Sequence, residues 1–167
     1  NALEYGCGTG LLSFALQSDL GQITLADSSQ GMLDVLSEKI NEAGVTNMRP
    51  VRLDLTNDPL PDEHYQLTYS LLTLHHVHDA KSIIPKFHAL LEPNGYLLVA
   101  DLDKEDGSFH TDGTTDVHKG FERAELQKWV EDAGFGNVMF STAFEIRKTI
   151  DDKEKVFPVF LMSAQKI

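Results

Sequence analysis

Residues 4–10 read Glu-Tyr-Gly-Cys-Gly-Thr-Gly, placing glycine at positions 6, 8 and 10. The run before them, Asn1 to Tyr5, reads as a strand, and Leu11-Leu12-Ser13-Phe14-Ala15-Leu16 behind them as a helix. A strand that passes through alternating glycines into a helix is a nucleotide-cradling turn. Glycine permits the positive φ of the turn and lets a ligand lie against bare backbone, while the helix start offers unpaired N–H groups. Spacing narrows the ligand. The dinucleotide fingerprint Gly-x-Gly-x-x-Gly needs its third glycine where this chain has Leu11, which counts against a nicotinamide cofactor.

The next two strands end on carboxylates. Gln22-Ile23-Thr24-Leu25-Ala26 runs into Asp27, and Val51-Arg52-Leu53 runs into Asp54-Leu55. A carboxylate at the strand tip beside a glycine turn meets ribose hydroxyls in mononucleotide-binding halves. The competing reading of Asp27 is a helix cap for the segment from Ser29 onward. Composition removes other classes. With 26 acidic against 14 basic residues the formal charge is −12, so a general nucleic-acid surface is excluded. No apolar run approaches the ~20 residues of a membrane span, and no signal peptide opens the chain. Cys7 is the only cysteine, so no internal disulfide forms and a reducing, cytoplasmic setting is expected.

Periodicity gives alternating strands and helices over one domain, residues 1–167. One helix covers roughly Leu11 to Gln17. A second runs from Ser29 to Ala43, with Met32, Leu36, Ile40 and Ala43 on one face and Gly44 as its cap. A strand lies at 48–53, and Pro50 assigns it to a sheet edge. Another lies at 65–70. A helix from Asp79 or Ser82 to Leu91 must keep Pro85 in its first turn. The turn Pro93-Asn94-Gly95 leads to a strand at 96–100, Leu126, Trp129, Val130 and Ala133 mark a further helix, and strands at 137–144 and 157–164 finish the chain. This alternation implies an α/β fold with a mostly parallel sheet covered on both faces.

From the first strand to the last, the chain resembles class I S-adenosylmethionine-dependent methyltransferases. The carriers are the evenly spaced glycines, the ordered Asp27 and Asp54, the segment Ser70-Leu71-Leu72-Thr73-Leu74-His75-His76-Val77 after the fourth strand, and Leu91-Glu92-Pro93-Asn94-Gly95-Tyr96-Leu97 into the fifth. The resemblance implies a Rossmann-like, doubly wound, seven-stranded sheet of order 3-2-1-4-5-7-6 with the last strand antiparallel. It implies S-adenosylmethionine as cofactor and a small-molecule methyl acceptor, with the O, C or N atom undetermined. Gly6, Gly8 and Gly10, with Cys7 among them, would let the methionyl part lie against backbone, and Glu4 would hold its amino-acid end directly or through water. Asp27 would bind the ribose, Ser28 and Met32 would line the adenosine, Asp54 and Leu55 would read the adenine, and backbone at Ser70 and Leu71 would accept from the methionyl amine. Relatives carry lid helices before the first strand, whereas this sequence begins inside that strand. A non-catalytic module that holds the cofactor or its demethylated product is the alternative.

A base is needed only when the acceptor arrives protonated. His75 and His76 follow the fourth strand, and His75, nearer the strand tip, is the candidate; a histidine that merely packs at a helix start competes with it. His75, His76 and His78 also raise a metal. Adjacent histidines rarely converge, and no cysteine or second histidine pair stands at ligand spacing, so no metal site is expected and transfer is read as metal-independent. The fourth strand ends on Ser70-Leu71, where metal-dependent catechol-type relatives need an aspartate, and the Asn/Asp-Pro-Pro-aromatic signature of amide and adenine N-methylation is absent. A calcium loop counted from Asp101 fails at Asp106 and Asp112, which should be glycine and glutamate. The stretch 101–120 is long for a connection and leaves the ligand-binding edge of the sheet. With Phe109, His110 and His118 it reads as part of the acceptor pocket or its cover.

Overall fold

Alternation in β1 (Ala2–Tyr5) organises the molecule, because the strand is buried on both sides. Leu3 and Tyr5 enter one apolar cluster while Ala2 points into a second on the opposite face. The computed structural model describes residues 1–111, 113–114 and 117–167. Asp112, one of the two positions weighed against a calcium loop, lies outside them. After β1 come α1 (Leu11–Leu16), β2 (Ile23–Asp27), α2 (Gln30–Ala43), β3 (Met48–Arg52) and β4 (Tyr65–Leu71). A short 3-10 turn (Leu74–His76) leads to α3 (Ala80–Leu90), β5 (Leu91–Leu102), α4 (Arg123–Asp132), β6 (Phe135–Ile150) and β7 (Lys153–Lys166).

The strands form one seven-stranded sheet in the order β3-β2-β1-β4-β5-β7-β6. The first five are parallel, and β7 runs antiparallel to both β5 and β6. Helices α3 and α4 cover one face through Ile83, Ile84, Phe87, Leu126 and Val130. Helices α1 and α2 cover the other through Leu12, Phe14, Leu33, Leu36 and Ile40. The strand order reverses between β1 and β4, so their carboxyl ends open the crevice where doubly wound sheets take ligands. Pro50 lies on the edge strand β3, as its missing N–H requires.

Three local expectations change. The buried face of α2 is Leu33, Leu36 and Ile40, whereas Met32 and Ala43 face outward. Its ends match their caps: Ser29 Oγ accepts from Met32 N–H, and Gly44 closes it at φ 64°. Pro85 lies at the sixth position of α3 rather than in its first turn. An interior proline costs about 3 kcal/mol, and complete burial of Ile83, Ile84 and Phe87 offsets it at about 1.5–3 kcal/mol per side chain. The final hairpin is also much longer than the apolar runs suggest, pairing as far as Ile150 with Lys153. Its two-residue turn, Asp151-Asp152, holds φ at 50° and 59°.

Such a turn matches strand twist but favours Asn-Gly over two aspartates. The double change Asp151→Asn, Asp152→Gly is therefore expected to stabilise the protein by about 1 kcal/mol, since it relieves left-handed strain and adjacent like charge. A thermal unfolding midpoint that fails to rise would show that the turn does not limit stability.

Candidate active site

A cavity of about 580 Å³ opens at the carboxyl ends of β1, β2 and β4. Its walls include Gly6 and Gly8, Asp27, Ser28 and Met32, Asp54, and the segment Leu72, Thr73, His76, Val77 and His78. That volume falls within the usual range for small-molecule sites. The turn between β1 and α1 is pinned to β2, with Gly6 N–H and Cys7 N–H both donating to Ala26 C=O at 2.8 and 3.0 Å. Gly8 faces open space: a Cβ built there meets nothing within 4 Å. Bare backbone beside two carboxylates is the donor and acceptor set that an adenosine carrying an amino-acid tail requires, so these residues fit S-adenosylmethionine.

Asp27 is already oriented. Its Oδ2 accepts from Gly8 N–H at 2.8 Å and its Oδ1 from Ser29 N–H at 2.9 Å. The cap of α2 is Ser29, so Asp27 braces the loop against the glycine turn and leaves remaining lone pairs toward the cavity. Asp54 is held in the same manner, accepting from Thr56 N–H at 2.9 Å and Asn57 Nδ2 at 2.8 Å. Partial burial alone would raise its pKa; the hydrogen bonds from Asn57 and Thr56 outweigh that and lower it.

Other expected residues sit behind the wall. Glu4, Cys7 and Leu55 are buried, and Gly10 lies beyond the cavity at the start of α1. Glu4 shares the α1 side of β1, where its carboxyl accepts from Ser13 Oγ, which is itself 2.6 Å from Tyr69 Oη. Burial pushes the Glu4 carboxyl up from 4.5 to about 7. Ser70 and Leu71 border a separate apolar groove with Leu12, Leu16 and Leu161, and it is Leu72 and Thr73 that reach the cavity.

The histidines divide differently from the expectation. His76, not His75, is on the cavity wall. His75 is 1% exposed and turned inward onto Asp101, itself fully buried: Nδ1 lies 2.7 Å from Asp101 Oδ1, and His75 N–H donates to Oδ2 at 3.3 Å. The reason is register, since Asp101 on β5 lies just past Ala100, the partner of Leu71, and presents its carboxyl under the 3-10 turn. The loop after β5 folds back over this turn. His118 N–H donates to His75 C=O at 2.7 Å, and its Nε2–H lies 3.0 Å from both Val77 and His78 carbonyls, so His118 fastens the loop. His110 arrives beside His75 and His76, with ring centroids 5.2 and 5.1 Å away. Contrary to the expectation for neighbours in sequence, the His75 and His76 rings lie 4.0 Å apart, and His110 from this loop completes a cluster that spacing along the chain does not reveal.

Comparison with known proteins agrees with this geometry. A family model described as a methyltransferase domain matches residues 2–95. An uncharacterized methyltransferase of Schizosaccharomyces pombe is 36% identical over 115 residues, covering 65% of this chain and 40% of that protein. The ubiquinone/menaquinone biosynthesis C-methyltransferase UbiE of Shewanella sediminis is 34% identical over 106 residues, or 61% of this chain and 42% of that one. This chain thus spans about two fifths of the length of these relatives. Among solved structures, a methyltransferase-like protein from Bacillus halodurans superposes with a TM-score of 0.80 at 16% identity, covering 99% of this chain and 91% of that one, which shows the shared fold.

The buried Glu4 gives a test of the wall's electrostatics. A carboxyl whose pKa rises on folding contributes stability that is complete below pH 4.5 and lost as pH climbs through about 7. Relative to Glu4→Gln, the wild-type protein should lose on the order of 3 kcal/mol across that window. Denaturant unfolding of both proteins at pH 4.5, 6 and 8 measures it; a pH-independent difference would show that Glu4 is not desolvated.

Proposed function

This chain belongs to the class I S-adenosylmethionine-dependent methyltransferases, and on that premise we propose that it methylates a small-molecule acceptor in the cavity at the carboxyl ends of β1, β2 and β4. The observation that carries the reading is the convergence of bare Gly6–Gly8 backbone, Asp27 and Asp54 on one cavity, contributed by consecutive strand tips. When bound, the cofactor supplies a methyl group on a positively charged sulfur, already a strong electrophile. The residues of the chain then have to bind, orient and exclude water.

Their proposed roles follow from position. Asp27, with Ser28 and Met32, takes the ribose and adenosine; its carboxylate is preset by Gly8 and Ser29 N–H and needs no reorganisation. Asp54 takes the exocyclic amine of the base, with the adjoining backbone N–H of Leu55 beside it. Gly6 and Gly8 let the methionyl part approach the main chain, and carbonyls around Ser70 and Leu71 accept from its amine. Glu4, behind the wall, acts on that end through Ser13 and the turn rather than by contact. Carboxylates at 27 and 54, with no Lys or Arg on the wall among the described residues, favour a cationic ligand. Leu72, Thr73, His76 and Val77 form the opposite wall, where the acceptor would lie in line with the departing sulfur.

Binding separates this reading from its competitors. The chain should bind S-adenosylmethionine and S-adenosylhomocysteine, but not NAD. Asp27→Ala should weaken S-adenosylhomocysteine binding by about 1–3 kcal/mol, the scale for losing charge-assisted hydrogen bonds. Calorimetry detecting NAD alone would overturn the cofactor assignment, and an unchanged affinity in Asp27→Ala would return that residue to bracing the loop. Labelled methyl donor incubated with fractionated small metabolites then distinguishes an enzyme from a binding module.

A further inference from the structure

The cluster formed by His75, His76 and His110 lies beside the cavity, and only His76 belongs to both. One ring nitrogen from each of the three lies within 4.8 Å of those of the other two. Three imidazoles brought this close carry an electrostatic cost if protonated. The decisive member is His75. Asp101 Oδ1, which also accepts from Leu102 N–H at 2.8 Å, receives His75 Nδ1–H at 2.7 Å. This fixes the tautomer of the neutral ring and leaves Nε2 as a lone pair, buried and without a hydrogen-bond partner among the described residues. A buried nitrogen lone pair in that state is costly unless something accepts it. A carboxylate that orients one imidazole nitrogen while the other is presented outward is the outer-shell arrangement of metal-ligating histidines.

We propose that His75, His76 and His110 form a three-nitrogen site for a divalent transition metal of the zinc class, which ties the loop after β5 to the rim of the cavity. The donor set is chemically apt: neutral imidazoles without thiolate suit zinc and its neighbours rather than calcium or magnesium, which take oxygen. Zinc–nitrogen bonds of about 2.0–2.1 Å place tetrahedral ligand nitrogens about 3.3 Å apart, so the cluster has to tighten by no more than about 1.5 Å. His75 is the fixed point, held by Asp101 beneath it. His76 is exposed and His110 half-buried on a loop, so side-chain rotation of these two supplies the closure. Three protein ligands leave one coordination position open. The transfer step proposed above does not pass through this ion. Its place ties residues 105–110 to the 3-10 turn, in addition to the bonds made by His118.

The test is metal binding, read directly. The chain, stripped by chelation and dialysis, is titrated with zinc chloride in a calorimeter, and separately with cobalt(II), whose visible ligand-field bands report nitrogen coordination. The expected result is one ion per chain, with affinity lowered about 100-fold or more in His110→Gln and in His76→Gln, and unchanged in His64→Gln. Asp101→Asn should lower it about 10- to 100-fold, the range for losing an outer-shell partner. His76 and His110 lie toward the surface, so those variants keep the test valid if the buried Asp101 variant fails to fold. Absence of saturable one-to-one binding, or binding undiminished by both His110→Gln and His76→Gln, overturns the proposal. S-adenosylhomocysteine affinity measured on stripped wild type and on His110→Gln separates the two readings, because a missing metal site leaves that affinity intact.

Discussion

Everything at the carboxyl edge depends on a backbone that turns sharply between β1 and α1 with neighbours pressed against it. Gly6 has φ 75°, and a Cβ there would stand 2.1 Å from Thr73 Cγ2. Gly10 has φ 82°, and its Cβ would stand 2.5 Å from Leu36 Cδ1. These two glycines are required by the protein's own packing, one against the segment after β4 and the other against α2. Gly8 is different, since a Cβ there would meet nothing within 4 Å, and its missing side chain leaves open space rather than room for another part of the chain. A motif usually read as one device therefore serves two ends. Its outer members let the elements close around the crevice, and its middle member keeps the crevice open.

Acidic groups around that turn have similar chemistry and opposite surroundings. Glu4 faces the underside, where desolvation holds its proton near neutral pH and Ser13 and Tyr69 supply its polar company. Asp54 faces the cavity, where Asn57 and Thr56 stabilise its charge. A two-layer arrangement results, with a carboxyl near its titration point beneath the main chain and charged carboxylates above it. Strand alternation alone produces this difference: Glu4 shares the face of Ala2, while the tips of β2 and β3 project past the sheet.

The glycine turn and the carboxylates at 27 and 54 were legible in the sequence because each rests on a local pattern or a strand end, while the sheet order followed from the family resemblance that those residues carry. Met32 borders the cavity, whereas periodicity assigns it to the helix's buried face, since one turn of a helix brings both surfaces within a single residue's step. The place of Pro85 was misread because helix propensity is local and the burial that overrides it is not. Nothing local announces that β6 and β7 continue to Ile150 and Lys153, for their outer halves are polar and held mainly by each other. The same limit governed the histidines. His75 and His76 are neighbours in sequence, but their separation into an inward and an outward ring is dictated by Asp101, twenty-six residues away from His75. His110 comes to them only through the fold of a loop.

That loop also leans on the long hairpin. Lys148 Nζ donates to Phe109 C=O at 2.7 Å and lies 3.7 Å from the Phe109 ring centroid, while Lys155 Nζ reaches Asp106 and Ser108 at 2.8 and 2.9 Å. Phe109 and Phe157 share a small apolar cluster with Leu102 and Val159, apart from the two main ones. Beyond Val159 the hairpin has no partner strand in β5, so its outer part gains little from the rest of the sheet. Residues 105–110 and the hairpin tip thus form one small cooperative unit, able to open without the parallel sheet opening. Amide exchange there is then set by a local equilibrium, one to which the strain of a two-aspartate turn contributes from the far end of the hairpin.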